Sequence, residues 1–232
     1  MRLKIGEEAY KKRLKKLADA RKEAIKNVDK LHVKLQKGNR KTGTQVWTVS
    51  LLPIIDCQNC SKCSRECYDF KADMIYKQTI NDRARNSAIH LKDRNRFWYE
   101  IDMQIKANFV THLRLNVGGD YDLEDFKHVW MLAINNTKTE FLFFTKNYKD
   151  INEFYKKYKF PNNVHVIISD WEGMKDIVKK NLPRAHVLYE DGRTTAPEYG
   201  AYFCKGNCTE CAFNGEGCWT LKENEHVIFR AH

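Results

Sequence analysis

Apolar residues recur along this chain at two different periods. Up to residue 35 they keep a 3,4 spacing, through Tyr10, Leu14, Leu17, Ala24, Val28, Leu31 and Leu35, interrupted only by Arg21. That spacing lays a single stripe along a helix. It predicts one long amphipathic helix with Glu7 and Glu8 in its first turn and a stop at Gly38-Asn39. From residue 44 the pattern changes. Strand-like runs fall at 44–55, 111–117, 140–145, 164–169 and 185–189, with a sixth at 226–229. Helical patterns at roughly 68–91, 94–109, 122–135, 150–159 and 173–181 lie between them.

Strand and helix in alternation predict a parallel sheet with right-handed crossovers. Five or six such units are too few for a closed eight-fold barrel. The expected fold class is therefore α/β: a partial, open parallel β/α barrel with an N-terminal basic helix and a C-terminal Cys-rich loop. Three segments follow: a basic helical arm at 1–41, the partial barrel at 42–200, and a Cys-rich segment with a terminal strand at 201–232. In the second strand, alternation places His112, Arg114 and Asn116 on one face and Leu113, Leu115 and Val117 on the other. With the leucines against the helices, Arg114 and Asn116 point into the barrel.

Charge sharpens the division of the chain. The 232 residues include 41 Lys or Arg and 30 Asp or Glu, a formal net charge of +11. Residues 1–41 hold 15 of the basic and 5 of the acidic residues, which leaves the rest nearly neutral. Lys11, Lys12, Arg13, Lys15 and Lys16, continued by Arg40 and Lys41, form a candidate nucleic-acid face, because phosphate contact needs clustered cations more than any motif. The same helix can instead lay its stripe on the main domain or on a second copy of the chain, a route to self-association. A hydrophobic fraction of 42% excludes wholesale disorder. No apolar run approaches the ~20 residues that cross a bilayer, and MRLKIGEEAYKKR lacks the apolar core of a signal peptide, so a cytoplasmic protein with no membrane partner is expected.

In a reducing compartment the eight cysteines are metal ligands before they are disulfides, and they fall in two groups of four. Cys57, Cys60, Cys63 and Cys67 have the x2, x2, x3 spacing of the run that holds iron–sulfur clusters in bacterial-type ferredoxins, with Tyr68 where those proteins carry proline. Cys204, Cys208, Cys211 and Cys218 supply a second thiolate set in a Gly-rich loop. One or two 4Fe-4S clusters are expected, with tetrahedral zinc the alternative at the second set, since both select thiolates. The first set ends the first strand. The other strand ends carry Gly118-Gly119-Asp120, Thr145-Lys146-Asn147, Ser169-Asp170 and Glu190-Asp191-Gly192, where chemistry collects in parallel α/β folds. Lys146 and Ser169 stand where a carboxylate or a ribose can be held. No Gly-rich phosphate loop, G-x-S-x-G elbow or H-E-x-x-H helix accompanies them.

A cysteine loop after the first strand, then Gly-Gly-acid after the second, resembles the layout of radical S-adenosylmethionine (radical SAM) enzymes. That resemblance implies that Gly118, Gly119 and Asp120 meet the amino group of S-adenosylmethionine. The first loop departs from that superfamily's Cys-x3-Cys-x2-Cys. The late set has the spacing in Cys204-x3-Cys208-x2-Cys211, but with Glu210 where an aromatic residue is usual and at the far end of the fold, so it is read as an auxiliary cluster. More closely, Leu52-Pro53 through Cys57, Cys63 and Cys67-Tyr68, then Leu113 through Asp120, then Phe144-Thr145-Lys146 and the late cysteine loop, resemble the phage gene-product-88 family over residues 42–220. The implied function is an iron–sulfur protein of a phage or mobile element, performing S-adenosylmethionine-dependent radical chemistry with an external reductant. Arg114, Asn116 and Lys146 are its catalytic candidates and Ser169 a cofactor contact. The alternative is a nucleic-acid-binding module whose clusters are structural or redox-sensing.

Overall fold

Strand β1 (Gln36–Asn39) folds back antiparallel onto β2 (Gly43–Thr48), and from β2 onward every pairing is parallel. The other strands are β3 (His112–Arg114), β4 (Glu140–Thr145), β5 (Val164–Ser169), β6 (Arg184–Leu188), β7 (Ala201–Phe203) and β8 (His226–Arg230). Their order across the sheet is β1-β2-β3-β4-β5-β6-β8-β7, and the two edges do not pair, so the sheet is open. This is a computed structural model, and it describes residues 6–39, 42–58, 63–67, 69–70, 77–171 and 181–231. The helix expected at 173–181 falls almost wholly outside them.

Six helices accompany the strands among the described residues: α1 (Glu7–Lys26), α2 (Lys77–Lys92), α3 (Arg94–Ala107), α4 (Leu123–Asn135), α5 (Tyr148–Lys157) and α6 (Cys208–Asn214). Short polar side chains start them. Asp93 accepts from the Arg96 amide, Asp122 forms a capping box with Asp125, and Asn147 accepts from the Asp150 amide. Strand alternation then divides the core into two. Leu113, Phe141, Phe143, Val166 and Ile168 face the core beneath α3, α4 and α5. Val46, Leu142, Ile167, Ala185 and Val227 face the opposite side, against Cys211 and Trp219 of the C-terminal segment. One face of the sheet is covered by helices and the other by the late cysteine loop.

The N-terminal helix is shorter than its apolar repeat suggests. It ends at Lys26, and after a 3₁₀ turn at Val28–Lys30 the chain runs extended. Residues 31–35 bury every second side chain, so Val33 and Leu35 enter the helix-side core with strand periodicity. Gly38-Asn39 does not stop a helix; it lies in β1, where Gly38 has φ +64°. The first strand is shorter too: expected over 44–55, it is regular only to Thr48. Backbone bonds from Leu51 N to Gly118 O and from Val117 N to Val49 O carry the pairing a little further. Pro53, which has no N–H, then diverts the chain into a turn closed by the Asp56 amide on Leu52 O. β7 escapes sequence reading because three residues carry no periodicity.

Candidate active site and cysteine clusters

The turn at Leu52 to Asp56 delivers the first cysteine loop to the C-terminal ends of the parallel strands. The Asp56 carboxylate accepts from the Leu52 amide at 2.8 Å and from Arg21 of α1 at 3.0 Å. Arg65, inside the cysteine loop, pairs with Glu7 and lies 3.9 Å from the Tyr10 ring centroid. Leu17 is buried with Leu52, Phe70, Ile80 and Ala84, and Tyr10, Ile54 and Cys67 pack around them. The basic helix is thus clamped onto the cysteine loop and α2 by its apolar stripe. Leu17 of that stripe is buried, and Tyr10 and Ala24 are partly buried beside it.

A cavity of about 1190 Å³, its open mouth included, gathers the strand ends. Cys57, Cys63 and Cys67 line it together with Gly118, Gly119, Asp120, Lys146, Ser169, Arg114 and Asn116. Cys60 lies outside the described residues. Burial pushes the Cys67 thiol up to about 12, and Asp69 and the neighbouring Cys57 and Cys63 add to it. Across the mouth, the Tyr189 hydroxyl donates to Glu66 at 2.8 Å and ties the end of β6 to the cysteine loop.

Both glycines of the Gly-Gly-Asp segment have steric work. A Cβ on Gly118 would stand 2.2 Å from Asp69 Oδ2, and one on Gly119, at φ +82°, would stand 2.7 Å from the Leu51 side chain. The Asp120 carboxylate accepts from the backbone amides of Lys146 and Tyr121, both at 2.8 Å, so it braces the β3 loop against the β4 loop. Burial still raises it to about 6, against these donors and the Thr145 hydroxyl. Asn116 sits at φ +39° and donates to Phe144 O, while its buried Oδ1 has no partner. Lys146 extends over the Trp171 ring at 5.4 Å. Asp170, a cavity residue not among the sequence-derived candidates, is 5% exposed; Oδ2 accepts from Arg184 and Oδ1 has no partner. Its signal was its place beside Ser169 at a strand end. His186 had none: it is a strand residue, buried and bonded to Thr195 and His226.

The late cysteines lie on the face of the sheet opposite α3, α4 and α5. Asn207 caps α6 by accepting from the Glu210 amide, and Gly215 at φ +64° ends it, which turns the chain so that Cys218 returns beside Cys211. The hydroxyl of Tyr202 is 3.6 Å from Cys211 Sγ, and a Cβ on Gly217 would be 3.2 Å from that sulfur. Arg114 reaches them from β3: Nη1 donates to Cys208 Sγ at 3.8 Å, and the guanidinium lies 5.0 Å from the Phe144 ring centroid. Burial pushes the Cys218 thiol up to about 12, and Arg114 opposes that shift. Among the described residues the seven cysteines form no disulfide. Among the described residues no three His, Cys, Asp or Glu side chains close to the distances of a single bound ion.

On α1, Lys11, Lys12, Lys15 and Lys16 are exposed, while Arg13 is half-buried, its guanidinium 6.0 Å from the centre of the Phe70 ring. Arg40 and Lys41 lie outside the described residues. No described helix is long and apolar enough to cross a membrane. The sequence model of the family described as Gene product 88 matches residues 14–228, beginning inside α1 rather than at residue 42. No curated protein matches the chain, and neither does any solved structure.

Proposed function

The chain belongs to the gene product 88 family, and we propose that it is an iron–sulfur protein of radical-SAM-like, partial-barrel architecture that binds S-adenosylmethionine in the strand-end cavity. One observation carries this reading: three thiols of the first loop and the Gly118–Asp120, Lys146 and Ser169 strand ends line the same cavity. Cys57, Cys63 and Cys67 are the cluster ligands, with Cys60 completing or leaving open the fourth position. Three thiolates leave one iron to a cofactor; four close the cluster. The donor set is all sulfur, which suits iron–sulfur or zinc. A zinc tetrahedron at ~2.3 Å Zn–S distances needs thiols drawn tightly together, whereas a cluster attaches each thiolate to a separate iron and accepts wider spacing. The late thiols share one neighbourhood, as Cys57, Cys63 and Cys67 do at the cavity, and that grouping is what the cluster reading rests on; among the described residues no three of them close on a single ion.

The cavity also fits the cofactor's polar half. Asn116 Oδ1 and Asp170 Oδ1 are buried acceptors awaiting donors, and S-adenosylmethionine brings an ammonium group and ribose hydroxyls. When bound, a reduced cluster supplies one electron and the cofactor supplies a carbon radical. The chain's own part is to position and to exclude water. α1 and the Pro53 turn cover the cysteine loop from behind, Asp120 locks two strand-end loops together, and Tyr189 with Glu66 bridges part of the mouth. Anaerobic reconstitution tests the proposal through iron and sulfide content, visible absorption, and EPR with and without S-adenosylmethionine, followed by a search for 5'-deoxyadenosine. A loaded, reducible cluster whose signal ignores the cofactor, with no cleavage, removes the enzyme reading. Colourless protein holding zinc removes the iron reading.

The exposed lysines of α1 favour a second reading, phosphate contact with nucleic acid. Deleting residues 1–41 cannot test it, because Leu17, Val33 and Leu35 belong to the core. Replacing Lys11, Lys12, Lys15 and Lys16 with Gln can. Salt-sensitive binding of DNA or RNA that these changes leave intact counts against this face.

A further inference from the structure

Arg114 reaches the edge of the strand-end cavity, and its guanidinium is not aimed at the cavity alone. It is 6% exposed, donates to Cys208 Sγ at 3.8 Å and stacks against Phe144 at 5.0 Å. It also acts electrostatically on Cys218. A metal centre held by four thiolates is an anionic group, and here it would sit on an apolar surface made by Val46, Leu142, Ile167 and Trp219. Burying negative charge there is costly without a nearby cation or hydrogen-bond donors to the sulfurs. The Lys205 ammonium is drawn to Glu216, both partners being partly exposed. Arg114 is the cation that reaches a late thiol from the sheet itself. Its planar fork keeps the charge permanently and is held in place by the Phe144 ring.

Resting on the iron–sulfur reading above, we infer that Arg114 is a positioning residue for the late cysteine set: it compensates the thiolate charge at Cys208 and Cys218 and sets the reduction potential of the metal centre they hold. Cluster potentials follow net charge, hydrogen bonds to sulfur and solvent exposure, and Arg114 supplies the first two from a buried position. Its role toward the late set is separate from the part it was expected to play as a lining residue of the cavity.

The test uses full-length protein reconstituted anaerobically with iron and sulfide, and compares the wild type with Arg114→Met and Arg114→Lys. Iron per chain and an EPR-monitored redox titration are the readouts, with Cys57→Ala/Cys63→Ala protein identifying the late set's signal. In Arg114→Met the late centre becomes harder to reduce, by at least tenfold in the reduced-to-oxidised ratio at fixed potential, equivalent to about 59 mV for one electron, or it is lost while the first remains. Arg114→Lys recovers part of the shift, and it alone decides the matter if the Met variant fails to fold. Unchanged iron content and unchanged potential in both variants overturn the inference and leave the cluster reading standing. Wild-type protein that takes up no iron overturns both.

Discussion

The Arg83 guanidinium donates to the Asp69 carboxylate at 2.6 Å, with both side chains almost fully buried, and the pair fits only because residue 118 has no side chain. A methyl group on Gly118 would meet Asp69 Oδ2 at 2.2 Å and the Leu51 carbonyl at 2.9 Å. The ion pair therefore links α2, the cysteine loop and the β3 end in one contact. Arg83→Ala takes the paired guanidinium away from a buried carboxylate and is expected to cost about 3–5 kcal/mol in urea unfolding of the metal-free protein. Gly118→Ala acts on the same contact, so the double variant should cost clearly less than the two singles added. Additive costs would show that Gly118 serves something other than this pair.

The clamp of α1 on the cysteine loop predicts a reactivity effect as well as a stability effect. Leu17 is 2% exposed, and Leu17→Ala should cost about 2–5 kcal/mol, depending on how far the site collapses. Cys67 packs against the same cluster, and its thiol stays protonated because burial holds it near 12. Only the thiolate is nucleophilic. Alkylation of Cys67 in metal-free protein should therefore be slow, and should accelerate in Leu17→Ala under native conditions. An unchanged rate with the expected loss of stability would mean that α1 supports the fold but not the loop.

How much of this was legible in the sequence depends on how local the cause is. Period 2 in residues 113–117 and 140–145 places Leu113, Phe141 and Phe143 under the helices and Arg114 on the other side, which is how the sheet is built. Strand ends carrying Gly118-Gly119-Asp120, Lys146 and Ser169 do meet at one cavity, because a parallel sheet aligns its C-terminal ends. The N-terminal helix stops short of its apolar repeat for a physical reason. Val28, Leu31 and Leu35 continue a helical spacing by coincidence, while Val33 and the β1–β2 pairing obey the sheet. Nothing in the sequence announces Asp69 with Arg83, or Thr209 with Thr42, since partners so placed are brought together only by the finished topology.

Two buried groups shift the acid stability in opposite directions. Burial lowers His186 from 6.5 to about 4, so the unfolded chain takes up that proton first, and the stability present above pH 6.5 is lost as pH falls toward 4. Burial raises Asp120 from 3.8 to about 6, so here the folded chain takes up the proton first, and stability is gained as pH falls from 6 toward 4. His186→Asn should flatten the acid loss between pH 6.5 and 4, whereas Asp120→Asn should steepen it. Urea midpoints measured across that window check both signs, and parallel curves for all three proteins would show that neither group titrates as its surroundings dictate.

Thr209 latches the late cysteine helix to the first parallel strand. Its hydroxyl donates to the buried Thr42 carbonyl at 2.7 Å and accepts from the Gln45 amide at 3.2 Å. Gly43, at φ +74°, lets the two approach, since a Cβ there would lie 2.3 Å from Thr209 Oγ1. Thr209→Val keeps the shape and removes both bonds, leaving a carbonyl and an amide without their partner. A cost of about 1–3 kcal/mol is expected. The loss should be local: faster hydrogen exchange at the Gln45 amide, and weaker metal retention by Cys208 and Cys211 than by the loop at Cys57 to Cys67. Equal loss from both sets would mean that the sheet, and not this latch, holds the late cysteines in place.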